Sequence, residues 1–558
     1  MKKRAGENGH CPVARKGESL LLYPESRGFG PILDYDDDRN IRPPFFDLRG
    51  SSLHRLIALV AASVVFVGNG FLLAQSADTA PLVGLQRHLP LDYAITGDQI
   101  VTAPGKSPIA ATIIIRDGRI QAVAPDLDIP SDLRVVDATG KLIYPGFIDG
   151  YSERSIRDFS STSGYWNANV VPERSALYGF EPETDTSKKW RAIGFTARLL
   201  APKSGQVKGT SAVISCGTGD PATLVIHPNV ALHVALTTVR RRHSENYPSS
   251  PMGAVALVRQ AFYDAEWYGK AWKAAAANPR IERPDRNDAL AALGAWTDSG
   301  HPIIVDSSNE RYFARADRLG REFSLPIIVR GSGREYRRLD DVASTGRAVI
   351  LPLNFPKAPA VSTPTDAASA TLQSLMHWDL APENPARLAA AGVRIALTTD
   401  GLAKETKFWD QLRLAIRRGL SEETALAALT TTPADLFGVS DQLGTIEPGK
   451  AANLVIATGN LFTDKKAKVA ETWIAGKRHQ IIREPMTDLT GAWQLEIQPS
   501  PDQDEAEEAG VESPSLTVRL SGKPGKYKGT IATGDESEKD RVKIEKVQQA
   551  DSRLSLLF

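Results

Sequence analysis

Leu443-Gly444-Thr445-Ile446-Glu447-Pro448-Gly449-Lys450-Ala451-Ala452-Asn453-Leu454-Val455 is followed, a short way on, by Glu471-Thr472-Trp473-Ile474-Ala475-Gly476-Lys477. Apolar residues broken by Gly and Pro read here as short strands and turns. A matching β-rich stretch stands far upstream, over residues 93–143. Within it, residues 111–116 are apolar and β-branched, Asp117-Gly118 turns, and residues 119–123 return. An Asp-Gly pair between such runs is a strong hairpin signal. Residues 134–137 and 141–143 flank a second turn at Thr139-Gly140.

The chain between these stretches alternates. Residues 195–200, 303–305, 326–329, 348–353 and 394–398 are short apolar runs that read as buried parallel strands. Residues 311–323 and 412–418 read as helices between them, and Ser421 caps another that carries Glu422 and Glu423 in its first turn. Thr432-Pro433 supplies a cap and a first-turn proline for the next. Such alternation predicts an α/β fold built on a parallel sheet or barrel.

Two motifs carry a family resemblance. The segment 443–455 with its "W-I-x-G-K" strand resembles the C-terminal signature of the amidohydrolase superfamily, in the branch of imidazolonepropionase and dihydroorotase. Tyr144-Pro145-Gly146-Phe147-Ile148-Asp149 resembles the "PGFID" entry to the barrel of those enzymes. The resemblance covers residues 91–482. It implies a (β/α)8 TIM-like barrel over 146–439 and a small composite β-sandwich from 91–145 and 440–482. A short antiparallel β module is expected over 487–558. The family hydrolyses non-peptide C–N bonds with zinc or another divalent metal, which lowers the pKa of bound water and polarises the carbonyl.

The ligand positions depart from that pattern. The resemblance implies x-His-x-His after "PGFID", two side chains pointing one way because strand residues alternate. Here Tyr151 and Glu153 occupy those places. A carboxylate can hold zinc, while a neutral tyrosine is a poor ligand. Asp306-Ser307-Ser308 and Arg330-Gly331-Ser332 stand at strand ends where intact members carry histidine. Arg330 repels a divalent cation but suits an anionic ligand. Asp400, in Thr398-Thr399-Asp400-Gly401, matches the family aspartate that binds metal and takes the proton of the attacking water. Asp400 is thus the candidate catalytic residue, Arg330 the candidate substrate-binding residue, and Tyr151 and Glu153 are degenerate ligand positions. No metal cofactor is expected unless the family site is retained.

The histidines offer no replacement set. His88 and His479 fall outside the barrel strands, His301 precedes a strand, and His377 precedes a helix. His227, His233 and His243 fall in a stretch, 226–247, that reads as an insertion, with spacing that fits no compact metal motif. Ordinary surface or core histidines are the simpler reading. Cys216 follows the apolar run 212–214 with no histidine nearby in sequence, and reads as a small buried residue.

The formal net charge of +1 and the lack of any zinc-finger or RNA-binding motif exclude a typical nucleic-acid binder. Residues 56–74 form the most apolar run. Arg49, His54 and Arg55 precede it and Ala74-Gln75-Ser76-Ala77 follows it. This predicts a signal peptide or membrane anchor over 56–76, hence an exported, periplasmic or membrane-anchored protein. Residues 1–55, with an acidic run and several prolines, are expected to be a disordered extension. Cys11 precedes the signal, so a mature chain keeps one thiol and no internal disulfide.

Tyr247-Pro248-Ser249-Ser250-Pro251-Met252-Gly253-Ala254, Phe262-Tyr263-Asp264-Ala265-Glu266-Trp267-Tyr268 and His377-Trp378-Asp379-Leu380-Ala381-Pro382 resemble exported bacterial tandem amidohydrolase-like proteins. There a degenerate first module precedes a second that keeps its metal ligands. The apolar ending Leu554-Ser555-Leu556-Leu557-Phe558 is read in the same light, as a truncated or split product. The leading expectation is a degenerate, weakly active or inactive module that supports an active partner module or chain. The alternatives are a hydrolase with an unusual site of Glu153, Asp400 and Asp306, and a periplasmic binding protein for a small molecule held by Arg330.

Overall fold

A computed structural model describes residues 92–157, 164–238, 247–482, 488–495, 516–523, 526–533, 542–550 and 553–557. The segments 1–55 and 56–76 and the acidic linker 502–512 lie outside the described residues. Among the described residues no helix is long and apolar enough to cross a membrane.

Strands β1 (Tyr93–Ile100), β2 (Ile109–Arg116) and β3 (Arg119–Ala124) form an antiparallel meander. Asp117 and Gly118 both have positive φ, 48° and 75°, as the tight hairpin turn requires. Glycine is needed at 118 for a second reason: an added Cβ would stand 2.6 Å from the Ala475 carbonyl oxygen. Strands β4 (Arg134–Asp137) and β5 (Leu142–Pro145) run parallel to β1.

The chain then enters the barrel. Strand β6 (Phe147–Ser152) pairs in parallel with β7 (Phe195–Leu200), and all twelve residues are buried. Strand β8 (Val207–Thr210) follows. Next comes β9 (Ala212–Ser215), which is antiparallel to β7 and to β10 (Val225–His227). Strand β11 (Leu232–Ala235) is antiparallel to β8 and opens a parallel series through β12 (Ile303–Asp306), β13 (Ile327–Arg330), β14 (Ala348–Pro352) and β15 (Ile395–Thr398). The end of β15 meets β6: the Thr398 hydroxyl donates to the Tyr151 carbonyl at 2.7 Å. At Gly150 an added Cβ would lie 2.9 Å from the Leu397 carbonyl oxygen, so these backbones touch. Finally β16 (Leu454–Ala457), β17 (Val469–Ile474) and β18 (Lys477–Gln480) return to the first sheet, β16 pairing antiparallel with β5. Tyr93 meets Trp473 edge-on at 4.8 Å, which joins the two flanks of the barrel in one core.

The long helices cover the barrel strands. Glu310–Glu322 buries Tyr312, Phe313, Ala316, Leu319 and Gly320, an i, i+3/i+4 stripe. The Ser421 hydroxyl caps Glu422–Ala427 by accepting from the Thr424 N–H. The next helix, Thr431–Leu436, begins before Thr432-Pro433, with Thr430 at its cap position. His377 falls inside the helix Leu372–Leu380 rather than ahead of it.

The stretch 226–247 corrects the sequence reading most. Leu232–Ala235 is a barrel strand, not part of an insertion, and β8 was not anticipated at all. Both are four residues long: β8 has one apolar side chain, Val207, beside Lys208, Gly209 and Thr210, and His233 breaks the apolar run of β11. In the tail, Gly491–Leu495, Leu516–Lys523, Lys526–Thr533 and Val542–Ile544 form an antiparallel sheet over Val518, Leu520, Tyr527, Ile531 and Ile544.

Candidate functional site

The C-terminal ends of β6, β12, β13 and β15 bring Tyr151, Glu153, Asp306, Arg330 and Asp400 to one place. In a barrel of this kind that face carries the chemistry. Lys208 from β8 and His233 from β11 join them from below.

Lys208 is nearly inaccessible, with a side chain 6% exposed. Its Nζ lies 2.7 Å from Asp306 Oδ2 and 3.6 Å from Glu153 Oε1. The Arg330 guanidinium donates to Asp400 Oδ2 and lies 3.5 Å from Asp306 Oδ1, within ion-pair but not hydrogen-bond range. It also covers the face of Tyr151, 4.2 Å from the ring centroid. Three carboxylates and two cations are therefore interlocked inside the barrel mouth, with one formal negative charge in excess.

The Tyr151 phenol is fully buried and donates to Glu153 Oε1 at 2.7 Å. Burial, reinforced by the Asp306 charge, pushes its pKa well above the ordinary tyrosine value, so it stays a neutral donor. Asp306 resists its own burial: Lys208 and Arg330 hold its carboxyl below the usual range. Arg330 is likewise held charged against burial by Asp306 and Asp400. His233 is the odd member. Its ring packs against Tyr151 at 5.7 Å, and neither ring nitrogen has a hydrogen-bond partner among the described residues. Burial pushes its pKa down to about 3.

Asp149 fixes the frame. It is fully buried and accepts from Trp190 Nε1 at 2.8 Å, Thr399 Oγ1 at 2.5 Å and the Thr399 N–H at 3.1 Å. The Thr398 hydroxyl accepts from the Asp400 N–H at 3.0 Å. The "TTD" loop is thus tied to β6. Burial raises the Asp149 pKa despite these donors. A cavity of about 390 Å3 opens above, lined by Tyr151, Glu153, Trp190, Asp400 and Glu405 among others.

A divalent metal does not fit these residues. A ligand set needs deprotonated donors facing a common open point. Here the Asp306 and Asp400 oxygens face Lys208 and Arg330, and the one histidine lies below Tyr151. Among the described residues no group of three or more His, Cys, Asp or Glu could hold a metal ion. Sequence reasoning did not single out Lys208, and it took His233 for an ordinary surface or core histidine; the ring is fully buried beside the cluster. The one signal was His233 inside the short apolar run 232–235; Val207-Lys208-Gly209-Thr210 carries no apolar pattern that marks Lys208.

The profile of the amidohydrolase family matches residues 383–479, which run from before β15 to the second half of the composite sheet. A crystal structure of an amidohydrolase from Thermotoga maritima superposes with a TM-score of 0.57 at 25% identity, covering 69% of this chain and 99% of that one. The chain thus carries an amidohydrolase-family segment within an amidohydrolase fold. An adenine deaminase of Rubrobacter xylanophilus is 23% identical over 433 residues, 70% of this chain and 60% of the relative. A 5-methylthioadenosine/S-adenosylhomocysteine deaminase of Teredinibacter turnerae is 28% identical over 137 residues, 20% of this chain and 30% of the relative. The chain therefore spans less than two thirds of either curated relative's length.

Cys216 lies away from the charge cluster, buried, its thiol pushed up to about 12 by loss of solvent. Only the thiolate reacts. In a chain with Cys11→Ser, Cys216 is expected to stay unlabelled by maleimide in native buffer and to react fully on unfolding. Rapid native labelling would contradict its burial.

Proposed function

We propose that this amidohydrolase-superfamily chain is a degenerate module in which an internal ion-pair cluster stands where relatives hold their metal. It hydrolyses non-peptide C–N bonds weakly or not at all and supports an active partner module or chain, outside the cytoplasm. The observation that carries this reading is the Arg330 guanidinium, held between Asp306 and Asp400 over the Tyr151 ring. A permanent cation there repels a divalent metal and uses the carboxylate oxygens a metal needs. Asp400, paired with Arg330, is also not free to accept a proton from water.

The test is a thermal melt of the purified chain with and without zinc and manganese, alongside a turnover screen over amide, imide and amidine substrates. A ligand that binds only the folded state raises the melting midpoint. The expected result is an unchanged midpoint and no metal-dependent turnover. A metal-dependent rise in both would refute the reading. For the partner role, a tagged chain isolated from its source is expected to retain a second, metal-binding amidohydrolase module in stoichiometric amount. Recovery of the chain alone would count against that role.

A further inference from the structure

A second cavity, of about 400 Å3, opens at the barrel mouth between the loops that follow β12, β13 and β14. That size suits a small organic ligand. Its charge is opposite in character to the cavity above Asp400. The first is lined by Glu153, Glu183, Asp400 and Glu405, against Arg154 and Lys203. No acidic residue lines the second. Its polar groups are Ser308, Ser332, Arg334, Asn354 and His377, and its apolar wall includes Phe355.

Arg334 stands out from the arginines around it. Arg330 pairs with Asp400, Arg337 with Glu310, Arg338 with Asp341 and Arg347 with Asp317. The Arg334 guanidinium has no ion-pair or hydrogen-bond partner among the described residues, although the residue is half-buried. The one carboxylate beside it in sequence, Glu335, is turned inward. It accepts from the Ser332 N–H at 2.5 Å and hydroxyl at 2.9 Å and from Asn384 Nδ2 at 2.8 Å. Those bonds also fix the Gly331–Arg334 turn and hold Arg334 at the cavity edge. His377, stacked on Tyr336, is held below the ordinary imidazole range by burial and then by the charges of Arg334 and Arg337, which marks the local field as positive.

The geometry points to a binding site for a small organic anion, a carboxylate or phosphate monoester, whose charged end meets Arg334 and whose flat apolar body lies against Phe355. Guanidinium groups bind such oxyanions through paired, charge-assisted hydrogen bonds. Serine and asparagine at the rim add neutral donors. The site goes beyond the degenerate-module reading and is independent of it, since metal content can turn out either way without altering Arg334.

Isothermal titration of the full chain with benzoate, phenyl phosphate, benzamide and benzylamine tests it. Benzoate or phenyl phosphate is expected to bind, and the stronger of the two names the oxyanion class. Neutral benzamide and cationic benzylamine are expected to bind at least about tenfold more weakly, since each lacks the charge that Arg334 pairs with. Arg334→Gln is expected to weaken anion binding by about tenfold or more with an unchanged melting midpoint, because it removes a group without an internal partner. Asn354→Leu, at an exposed position, provides a second variant expected to weaken the same anion. Failure of both anions to bind overturns the site. So does binding that benzamide matches, or that survives Arg334→Gln at full strength.

Discussion

Lys208→Met is expected to destabilise the folded chain by about 3 kcal/mol, because removing one partner of a buried ion pair leaves the other charge uncompensated. Lys208 lies almost out of reach of water, 2.7 Å from Asp306 Oδ2. Methionine keeps much of its length and its packing. What it loses is the charge that holds Asp306 ionised in the barrel interior. Arg330 cannot substitute, since its nearer partner is Asp400 and it reaches Asp306 only at 3.5 Å. The double variant Lys208→Met/Asp306→Leu is expected to recover most of the loss, because an apolar pair of similar volume replaces a buried ion pair at little cost. Urea unfolding of the four proteins in the cycle measures both effects. A single variant as stable as the parent would mean that the pair contributes nothing, and with it the cluster as a designed unit.

Acid is the second large lever. His233 titrates near 3 in the fold against an ordinary 6.5. Between those values the unfolded chain binds more protons, so stability is whole above about 6.5 and falls as pH drops towards 3. Each unit is worth about 1.4 kcal/mol. From pH 7 to 4.5 the parent should therefore lose about 2–3 kcal/mol through this group alone. His479, pushed down to about 4, adds to the same window. Asp306, held below its ordinary range, adds a further loss only below about pH 4. Asp149 opposes them: its raised pKa favours the protonated form in the fold, so its contribution grows as pH falls. His233→Leu removes the first and largest share. It also removes two ring nitrogens that have no partners, so the variant should be at least as stable at pH 7 and clearly more stable than the parent at pH 4.5. Parallel pH profiles for the two proteins would show that His233 is hydrated or paired in solution.

The composite sheet was legible in the sequence because its signals are local. An Asp-Gly turn, alternating strands and a proline-glycine corner each read from a few neighbours. The parallel strands β12 to β15 were legible as short apolar runs. Strands β8 and β11 were not: β8 has a single apolar side chain, Val207, and His233 interrupts a run only four residues long. Their burial is decided by partners remote in sequence: Asp306 for the lysine, the Tyr151 ring for the histidine. Sequence also placed Tyr151 and Glu153 where histidines were expected and singled out Arg330 and Asp400 at the strand ends. It offered Arg330 to an outside anion. In the fold that guanidinium faces Asp306 and Asp400, and Arg334, one turn further along, presents a guanidinium without an internal partner. Which of two nearby arginines is paired depends on loop geometry, which four residues of sequence do not encode.

In the proposed reading two side-chain cations, Lys208 and Arg330, stand where a metal would be held. Elemental mass spectrometry of the chain, produced with zinc, manganese and iron available and purified without chelator, tests it most directly. A folded protein with metal far below stoichiometric amounts is the expected result. Near-stoichiometric metal, lost together with Asp400→Ala or Asp306→Ala, would contradict it and place a working metal site among these carboxylates.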